Sequence, residues 1–514
     1  MSAARTSSTS GSNPAHVLFW EDSAMSTSVE PVPGQDRGFF GHPRGLSTLF
    51  FTEMWERFSF YGMRVILAMY LYHETSKGGL AWDQGTAFAF VGIYGASVYL
   101  TAVIGGWLAD RVLGPRKCVT YGALAMMAGH ICLSTPFKET SLYIGLGLMI
   151  LGSGLLKPTI STLVGNLYSK EDTRRDAGFT IFYMSVNVGS LLGQTITDWL
   201  RVDVGFHVAF AAAAVGMAIG LAQYLLGGKR LGPVDGPGNP LSEQERTAVT
   251  ARLIGIAFGT AAVLVAMHFL GWLNADGITW LITILTVVLP AGYLVVMIRD
   301  PRVDDLERSR LYAYIPLAMA IAVYWGLADL QPTVLTAFSE TRVSTLFGVQ
   351  LLPSVFQNVN PFGVIVIAPL LALLWTRLGS RQPSTPAKFS QALWLVGIAY
   401  GMLSLGVFVT PGEKVSPLWL IGMIVVLTIG ELLITPVGLS VTTKLAPKAY
   451  QSQAVAMFWM FTAAGDGIFA QASRLYSPET EQAFFLVLFG FAGVMAVVVW
   501  LMRGRITRLM QGIH

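Results

Sequence analysis

Apolar runs of the length a bilayer demands recur along this chain from residue 47 to residue 502. A helix rising about 1.5 Å per residue needs about 20 such residues to cross a hydrocarbon core of about 30 Å. Inside lipid every backbone polar group must bond within its own segment, so repeated runs of this kind can only become a bundle of helices. The scarcity of charge agrees. Of 514 residues 12% are charged and 53% hydrophobic, whereas a soluble domain carries about 25% charged residues. The net charge of +4 is small and sorted by side, and gives no reason to expect a nucleic-acid partner.

The runs predict an all-α integral membrane protein of fourteen transmembrane helices, at about 47–73, 84–109, 117–136, 140–167, 177–199, 205–227, 249–271, 278–298, 311–338, 351–376, 388–410, 416–443, 451–474 and 482–502. Residues 1–45 are polar, rich in Ser, Pro and Gly, and lack the apolar core of a secretion signal; they read as a disordered cytosolic tail, with Met25 an alternative start. The hydrophilic stretch 228–247 reads as a cytosolic linker between an N-terminal bundle, 46–227, and the remaining helices. Predicted helices seven and eight hold no acidic residue and only Arg252 and His268 as titratable candidates. Residues 248–299 therefore read as an extra hairpin outside the core, leaving 300–514 as a second six-helix bundle.

Orientation comes from the short loops. With the N-terminus inside, one side receives about 21 Lys and Arg, Lys170 among them, and the other about 6: Lys77, Lys138, Arg201, Arg342, Lys414 and Arg474. Both termini are expected in the cytosol. Cys118 and Cys132 fall on one helix roughly 21 Å apart along its axis and can neither pair nor hold a metal alone.

An ionisable residue within a span costs about 2.5–3.5 kcal/mol on insertion scales, and persists where it pairs or faces a watery path. The first helix alone carries Glu53, Glu56, Arg57 and Arg64. At 100° per residue these share one face with Phe60 and Tyr61, so the stripe points inward. Lys157, Asp329, Glu431 and Asp466 are the charges buried in other spans. Helix rise puts Arg64 and Asp329 at matching depth toward the outside, where they can meet. Arg57, Lys157 and Glu431 fall in the middle or toward the cytosol. Asp466, between Gly465 and Gly467, suits a close helix contact as well as a functional role. The cations Arg57, Arg64 and Lys157 lie in the first half and the anions Asp329 and Glu431 in the second. A cavity between the halves would have one wall of each sign, which suits a zwitterion.

At these residues the chain resembles the proton-dependent oligopeptide transporter family of the major facilitator superfamily. The motifs are Glu53-x-x-Glu56-Arg57-Phe58, Gly105-Gly106-Trp107-Leu108-Ala109-Asp110-Arg111, Phe182-Tyr183-Met184-Ser185-Val186-Asn187-Val188-Gly189-Ser190-Leu191, Gln357-Asn358-Val359-Asn360-Pro361, Pro383 to Phe389, and Gly430 to Ser440 around Glu431. The resemblance implies a major facilitator fold and proton-coupled import of di- and tripeptides across a bacterial inner membrane. It implies that Glu53 and Glu56 handle protons with Arg57 as partner. Lys157 would engage Glu53 or Glu56 and the peptide carboxylate, Glu431 would receive the peptide ammonium, and Asn187 and Asn360 would bond the peptide backbone. Tyr61, Tyr99, Trp325 and Trp459 would line the pocket. Arg64 and Asp329 would close an outer gate, with Lys157 and Glu431 also gating. Two positions depart from the family: Phe60 stands where a tyrosine is usual, and Asp329 is one methylene shorter than the usual Glu.

No cofactor is expected beyond the proton as coupling ion. The partners expected are the peptide and the lipid bilayer, and the chain is expected to work as a monomer. A carrier of another small anion or zwitterion on the same fold is the alternative; a nitrate-like substrate would need the cationic wall but not Glu431. An intramembrane hydrolase would need a nucleophile–base pair or metal-ligand spacing, and His130 and His268 stand without a visible acidic or Cys partner.

Overall fold

The structure is a computed structural model and describes residues 38–169, 172, 174–232 and 236–513. Most of the predicted tail, Lys170 and linker positions 233–235 lie outside the described residues. Among the described residues there are fourteen helical spans and no named strand. They are α1 Arg44–Tyr72, α2 Gln84–Leu108, α3 Pro115–Leu133, α4 Lys138–Gly165, α5 Arg175–Asp203, α6 Phe206–Gly227, α7 Glu243–Phe269 and α8 Ala275–Arg299. The span α9, Asp305–Arg342, passes through a π-helical turn at Gln331–Leu335. After it come α10 Pro353–Leu378, α11 Thr385–Val409, α12 Pro417–Leu445, α13 Ala454–Ala472 and α14 Glu481–Leu509.

Ten of these are long and apolar enough to cross a bilayer on length and composition alone; α1, α3, α5 and α13 are not among them. In α1 the reason is plain, since Glu53, Glu56, Arg57 and Arg64 interrupt the apolar run. The ends predicted from apolar runs hold to within a few residues except at α7, α9 and α14. There the helix continues past the bilayer edge into charged sequence. Ser242 with Glu245 and Asp304 with Glu307 form capping boxes that start α7 and α9 about six residues early, and Arg503, Arg505 and Arg508 ride on the extended end of α14.

Apolar packing sorts the helices into two bodies. One core draws its buried side chains from α1–α6, from Leu46 to Tyr224, with Leu231 just beyond and Ala470 of α13 added. The other runs from Leu294 at the end of α8 to Met510 after α14, with Phe88 of α2 added. Two six-helix bundles, α1–α6 and α9–α14, thus face each other, and they meet chiefly through α2 against α13 and α5 against α10. Close approach inside the first bundle depends on Gly189 and Gly193, four residues apart on α5, where any Cβ would collide with the carbonyls of Met54 and Phe58. Without a hydrophobic drive between helices in lipid, such small residues let backbones pack by dispersion.

The hairpin expected from sequence needs correcting. No described residue in the apolar window of α7 is buried, but α8 is not outside the core. It packs against α2 and α13, burying Thr279, Thr283 and Thr286. Thr283 Oγ1 donates to the Gly467 carbonyl and accepts from Gln471 Nε2 at 3.0 Å. Asp276, which the predicted span leaves out, pairs with Arg474 at 2.7 Å beside Thr86. So α8 ties one helix of each bundle at the end away from the basic loops. The linker is held too: Arg116 donates to the Gly228 and Gly232 carbonyls and Arg111 pairs with Glu245 at 2.7 Å.

The crossing of α9 and α13 is the tightest test of this packing. A side chain at Gly465 would meet the backbone of Ala322, whereas nothing lies within 4 Å of a Cβ at Gly490. Gly465→Val should lower stability by about 1–3 kcal/mol through overpacking, seen as a lower melting temperature in detergent, while Gly490→Ala leaves it within experimental scatter. Equal melting temperatures for both variants would contradict the packing described.

Candidate functional site

The inward stripe of α1 builds the first wall. Arg57 Nε donates to Glu53 Oε1 at 2.6 Å, one helical turn back. The same nitrogen lies 2.9 Å from Glu56 Oε2, but its N–H cannot point at both, and neither oxygen of Glu56 receives a hydrogen bond. Glu56 is fully buried and Glu53 is 3% exposed. One guanidinium therefore serves two buried carboxylates, and among the described residues its Nη groups donate to no protein acceptor.

Lys157 is brought to this wall by α4, but not into the ion pair expected with Glu53 or Glu56. Its ammonium lies 4.4 Å from the centroid of Phe60 and 5.1 Å from that of Tyr99. Arg57 already occupies the carboxylates, and the two aromatic faces give the second cation an electrostatic seat without a third anion. Phe60, noted in the sequence for the hydroxyl it lacks, is thus the ring on which Lys157 rests. Tyr61 follows it, edge-to-face at 5.2 Å, between Arg57 and Arg64 on the helix. Tyr99 stacks in turn on Trp459 of α13, 5.2 Å between centroids and 5° between planes, which links the cationic wall to the other bundle.

The second wall is set by α10 and α12. Asn360 Nδ2 donates to Glu431 Oε2 at 2.8 Å and to Thr428 Oγ1 at 3.1 Å, fixing the direction of the carboxylate. Trp325 of α9 has its indole N–H buried without a partner. Asn187 of α5, expected to bond a substrate, here donates to the Tyr183 carbonyl at 3.3 Å.

Toward the end away from the basic loops, Arg64 Nη2 reaches Asp329 Oδ1 at 3.2 Å, as equal depth in the sequence suggests. Farther out stands a cluster that sequence reasoning missed. Glu340 at the end of α9 accepts from Tyr72 and from His73 Nε2 at 3.2 Å, and lies 3.8 Å from Arg201 of α5. Arg201 also pairs with the fully buried Asp198 at 2.7 Å, whose other oxygen accepts from the backbone N–H of Ser354 on α10 at 3.0 Å. By sequence Arg201 is only a loop charge. The signal available was the Asp198–Arg201 spacing of three residues on one helix face. No group of His, Cys, Asp and Glu among the described residues could hold a metal ion.

Two helical bundles that face each other with ionisable side chains buried between them are an architecture of membrane carriers. The family model described as the POT family matches residues 116–487. The di-/tripeptide transporter of Lactococcus lactis subsp. lactis is 40% identical over 93% of this chain and 99% of its own. The uncharacterized transporter YclF of Bacillus subtilis is 42% identical, over 94% and 98%. The crystal structure of a peptide transporter POT in complex with sulfate superposes with a TM-score of 0.90 at 42% identity, covering 93% of this chain and 98% of that one. The chain belongs to the POT family of peptide transporters; it has the major facilitator fold and is a membrane transporter, not an enzyme.

The outer cluster around Glu340 can be tested directly. Glu340→Gln removes a charge that three side chains share, and a hydrogen bond to a charged group is worth about 1.5–3 kcal/mol, or roughly 10–150-fold in an equilibrium. Spin labels at Ser76 and Lys414, one on each bundle's loops at that end, should show a larger population at long distance in the variant. An unchanged distance distribution would mean that the cluster does not hold the bundles together.

Proposed function

We propose that this protein is a proton-coupled symporter that imports di- and tripeptides by alternating access, binding the peptide between the Arg57–Lys157 wall and the Glu431 wall. The observation that carries the reading is the arrangement of α1: two buried carboxylates under one guanidinium whose outer nitrogens donate to no acceptor among the described residues, beside a lysine that no carboxylate among those residues pairs with. A peptide carboxylate can take the Nη fork of Arg57 and the ammonium of Lys157, while its own ammonium takes Glu431, oriented by Asn360. Tyr61, Tyr99, Trp325 and Trp459 offer apolar faces for side chains, and Asn187 and Asn360 offer amides for the peptide backbone.

Coupling is a matter of charge balance. With no substrate, Glu53 and Glu56 are offset by two cations, Lys157 nearby and Arg57 in direct contact. When its fork turns to the substrate carboxylate, one of these carboxylates is left buried without a counter-charge and takes a proton. Glu53 and Glu56 lie about one turn apart and bind that proton as a pair. Proton and peptide thus bind together, and the loosened pairs let the bundles rock. A membrane potential contributes about 2.3 kcal/mol per charge per 100 mV, and accumulation of 10–100-fold needs about 1.4–2.7 kcal/mol, so one proton suffices.

The basic loops mark the cytosolic side, with both termini inside and the protein in a bacterial inner membrane. Three of the few cations on the other side, Arg201, Arg342 and Arg474, are each paired, with Asp198, Glu481 and Asp276, which supports that orientation. Both walls come from one chain, so the transport unit is a monomer.

Uptake into proteoliposomes under an imposed proton gradient, competed by dipeptides, tripeptides, free amino acids and nitrate, tests the whole reading; competition by nitrate alone would overturn it. Within that assay, Glu53→Gln or Glu56→Gln should keep peptide counterflow but lose gradient-driven accumulation, because an amide keeps the shape and cannot cycle a proton. Loss of both activities together in a folded variant would make that carboxylate structural. Glu431→Gln should weaken a free dipeptide about 10–150-fold, the worth of one charge-assisted hydrogen bond, and leave an N-acetylated dipeptide nearly unchanged. An equal loss for both ligands would remove Glu431 from the ammonium site.

A further inference from the structure

The hairpin helix α8 has no part in the proposed transport cycle, yet it is stitched to the second bundle along its whole length. At its outer end Arg474, just beyond α13, donates to Asp276 Oδ1 at 2.7 Å and to Thr279 Oγ1 at 2.8 Å. In its middle Gln471 of α13 donates to Thr283 Oγ1 at 3.0 Å, and Thr283 donates to the Gly467 carbonyl at 3.2 Å. The two helices touch there: a Cβ on Gly467 would stand 2.1 Å from Thr286 Oγ1. Toward its cytosolic end Leu294 and Met297 join the core of the second bundle. Arg308 of α9 donates to the Ile298 carbonyl at 3.1 Å, and Tyr450, ahead of α13, donates to Asp300 Oδ2 at 2.5 Å.

The first bundle holds α8 differently. Ala275, Ile278 and Ile282 rest on its apolar core. Among the described residues, the one hydrogen bond between α8 and that bundle is donated by Thr86 of α2 to Asp276 Oδ1, 3.3 Å long and exposed. The other helix of the hairpin, α7, is attached in the opposite way. Its first turn is held to the first bundle by Arg111 against Glu245 at 2.7 Å, and no described residue in its apolar window is buried.

We propose that α8 is a seventh helix of the second bundle: it travels with α13 when the bundles rock, slides over α2, and leaves α7 to take up the difference. The two sets of contacts part at different cost. Separating α8 from α13 would strip Thr283 and Gln471 of their bonds inside the membrane, where no water replaces them. Separating Ile278 and Ile282 from the first bundle only exchanges apolar side chains for lipid tails that are as apolar. The Thr86–Asp276 bond lies at the exposed end, where water can serve either partner. Thus α8 backs the seam between α2 and α13, which come close at Gly92 and Ala470. When the outer ends of those helices part, the gap faces a helix of the protein. This rests on the proposed function only in that the bundles rock; it needs neither peptide nor proton.

The test links α8 to each neighbour in turn, in full-length protein in lipid with Cys118 and Cys132 replaced by alanine. Thr283→Cys with Gln471→Cys joins α8 to α13, and Thr86→Cys with Asp276→Cys joins it to α2; in each pair the side chains replaced already hydrogen-bond. A short bifunctional thiosulfonate should leave uptake unchanged in the first pair. In the second it should abolish uptake until a reductant restores it. The reverse result, or equal effects in both pairs, would overturn the proposal. Spin labels at Ser76 on the first bundle, Lys414 on the second and Trp280 on α8, taken two at a time in Glu340→Gln, give an arm that needs no transport. The long distance expected for Ser76–Lys414 should recur for Trp280–Ser76, while Trp280–Lys414 keeps its wild-type distance. A change in Trp280–Lys414, or one unchanged distance in all three pairs, would overturn it. The expected distances in a protein without proton-driven peptide uptake would support the attachment of α8 and count against the proposed function alone.

Discussion

The single hydrogen bond from Arg57 Nε to Glu53 sets the rest of this molecule's chemistry. A guanidinium has five N–H groups in a fixed fork, and here one of them is spent on the helix's own carboxylate while Glu56 sits 2.9 Å away without a bond of its own. A buried carboxylate in that position is stable only while the cation stays. In the proposed cycle the first wall is poised between two occupants, an internal acid and an incoming carboxylate, and a proton decides between them. A lysine in place of Arg57 would provide a point charge and no fork.

Around that wall the fold supplies two kinds of contact. Within each bundle, glycine-mediated approaches such as Gly189 and Gly193 against α1 are rigid and make each bundle move as a body. Between bundles, beside apolar contacts such as Tyr99 on Trp459 and Gly92 on Ala470, lie polar and replaceable ones: Arg64 with Asp329, Glu340 with Tyr72 and His73, Asp198 with the backbone of Ser354. Water can replace every one of these polar partners when the halves part, whereas it cannot replace the dispersion lost if Gly465 and Ala322 separated. The bundle interface is thus the place where rocking costs least. The α8 helix complicates a strict two-body picture, because its threonine stripe and Asp276 hold α13 while the same helix rests on α2.

The number of spans and the stripe on α1 were legible because bilayer thickness and helical periodicity are fixed by physics outside the protein. Equal depth was enough to bring Arg64 to Asp329. What the sequence could not carry was competition among partners. A glutamate is the natural expectation for Lys157, yet Arg57 stands closer to both. Glu340 and Arg201 look like helix-end and loop charges because their partners come from helices far apart in the chain. Threonines on α8 carry no periodic charge and so give no sign of a buried face. The start of α9 falls earlier than hydropathy suggests because hydropathy ends where the bilayer does, while a capping box lets the helix begin in water.

The seat of Lys157 shows why a lost hydroxyl can matter more than a gained one. A tyrosine at position 60 would place a donor and acceptor beside the ammonium; the phenyl face of Phe60 offers only its quadrupole, 4.4 Å away. Such a contact is worth about 0.5–2 kcal/mol, well below the roughly 3–5 kcal/mol by which breaking a buried ion pair destabilises a protein. A cation held that lightly can leave its ring for a substrate carboxylate at small cost. When it leaves, Tyr99 loses the charge over one face while keeping Trp459 on the other. In the proposed cycle, movement of Lys157 is thus felt at a ring pair shared by both bundles, a route to the bundle interface through aromatic faces that runs beside the loosened ion pairs.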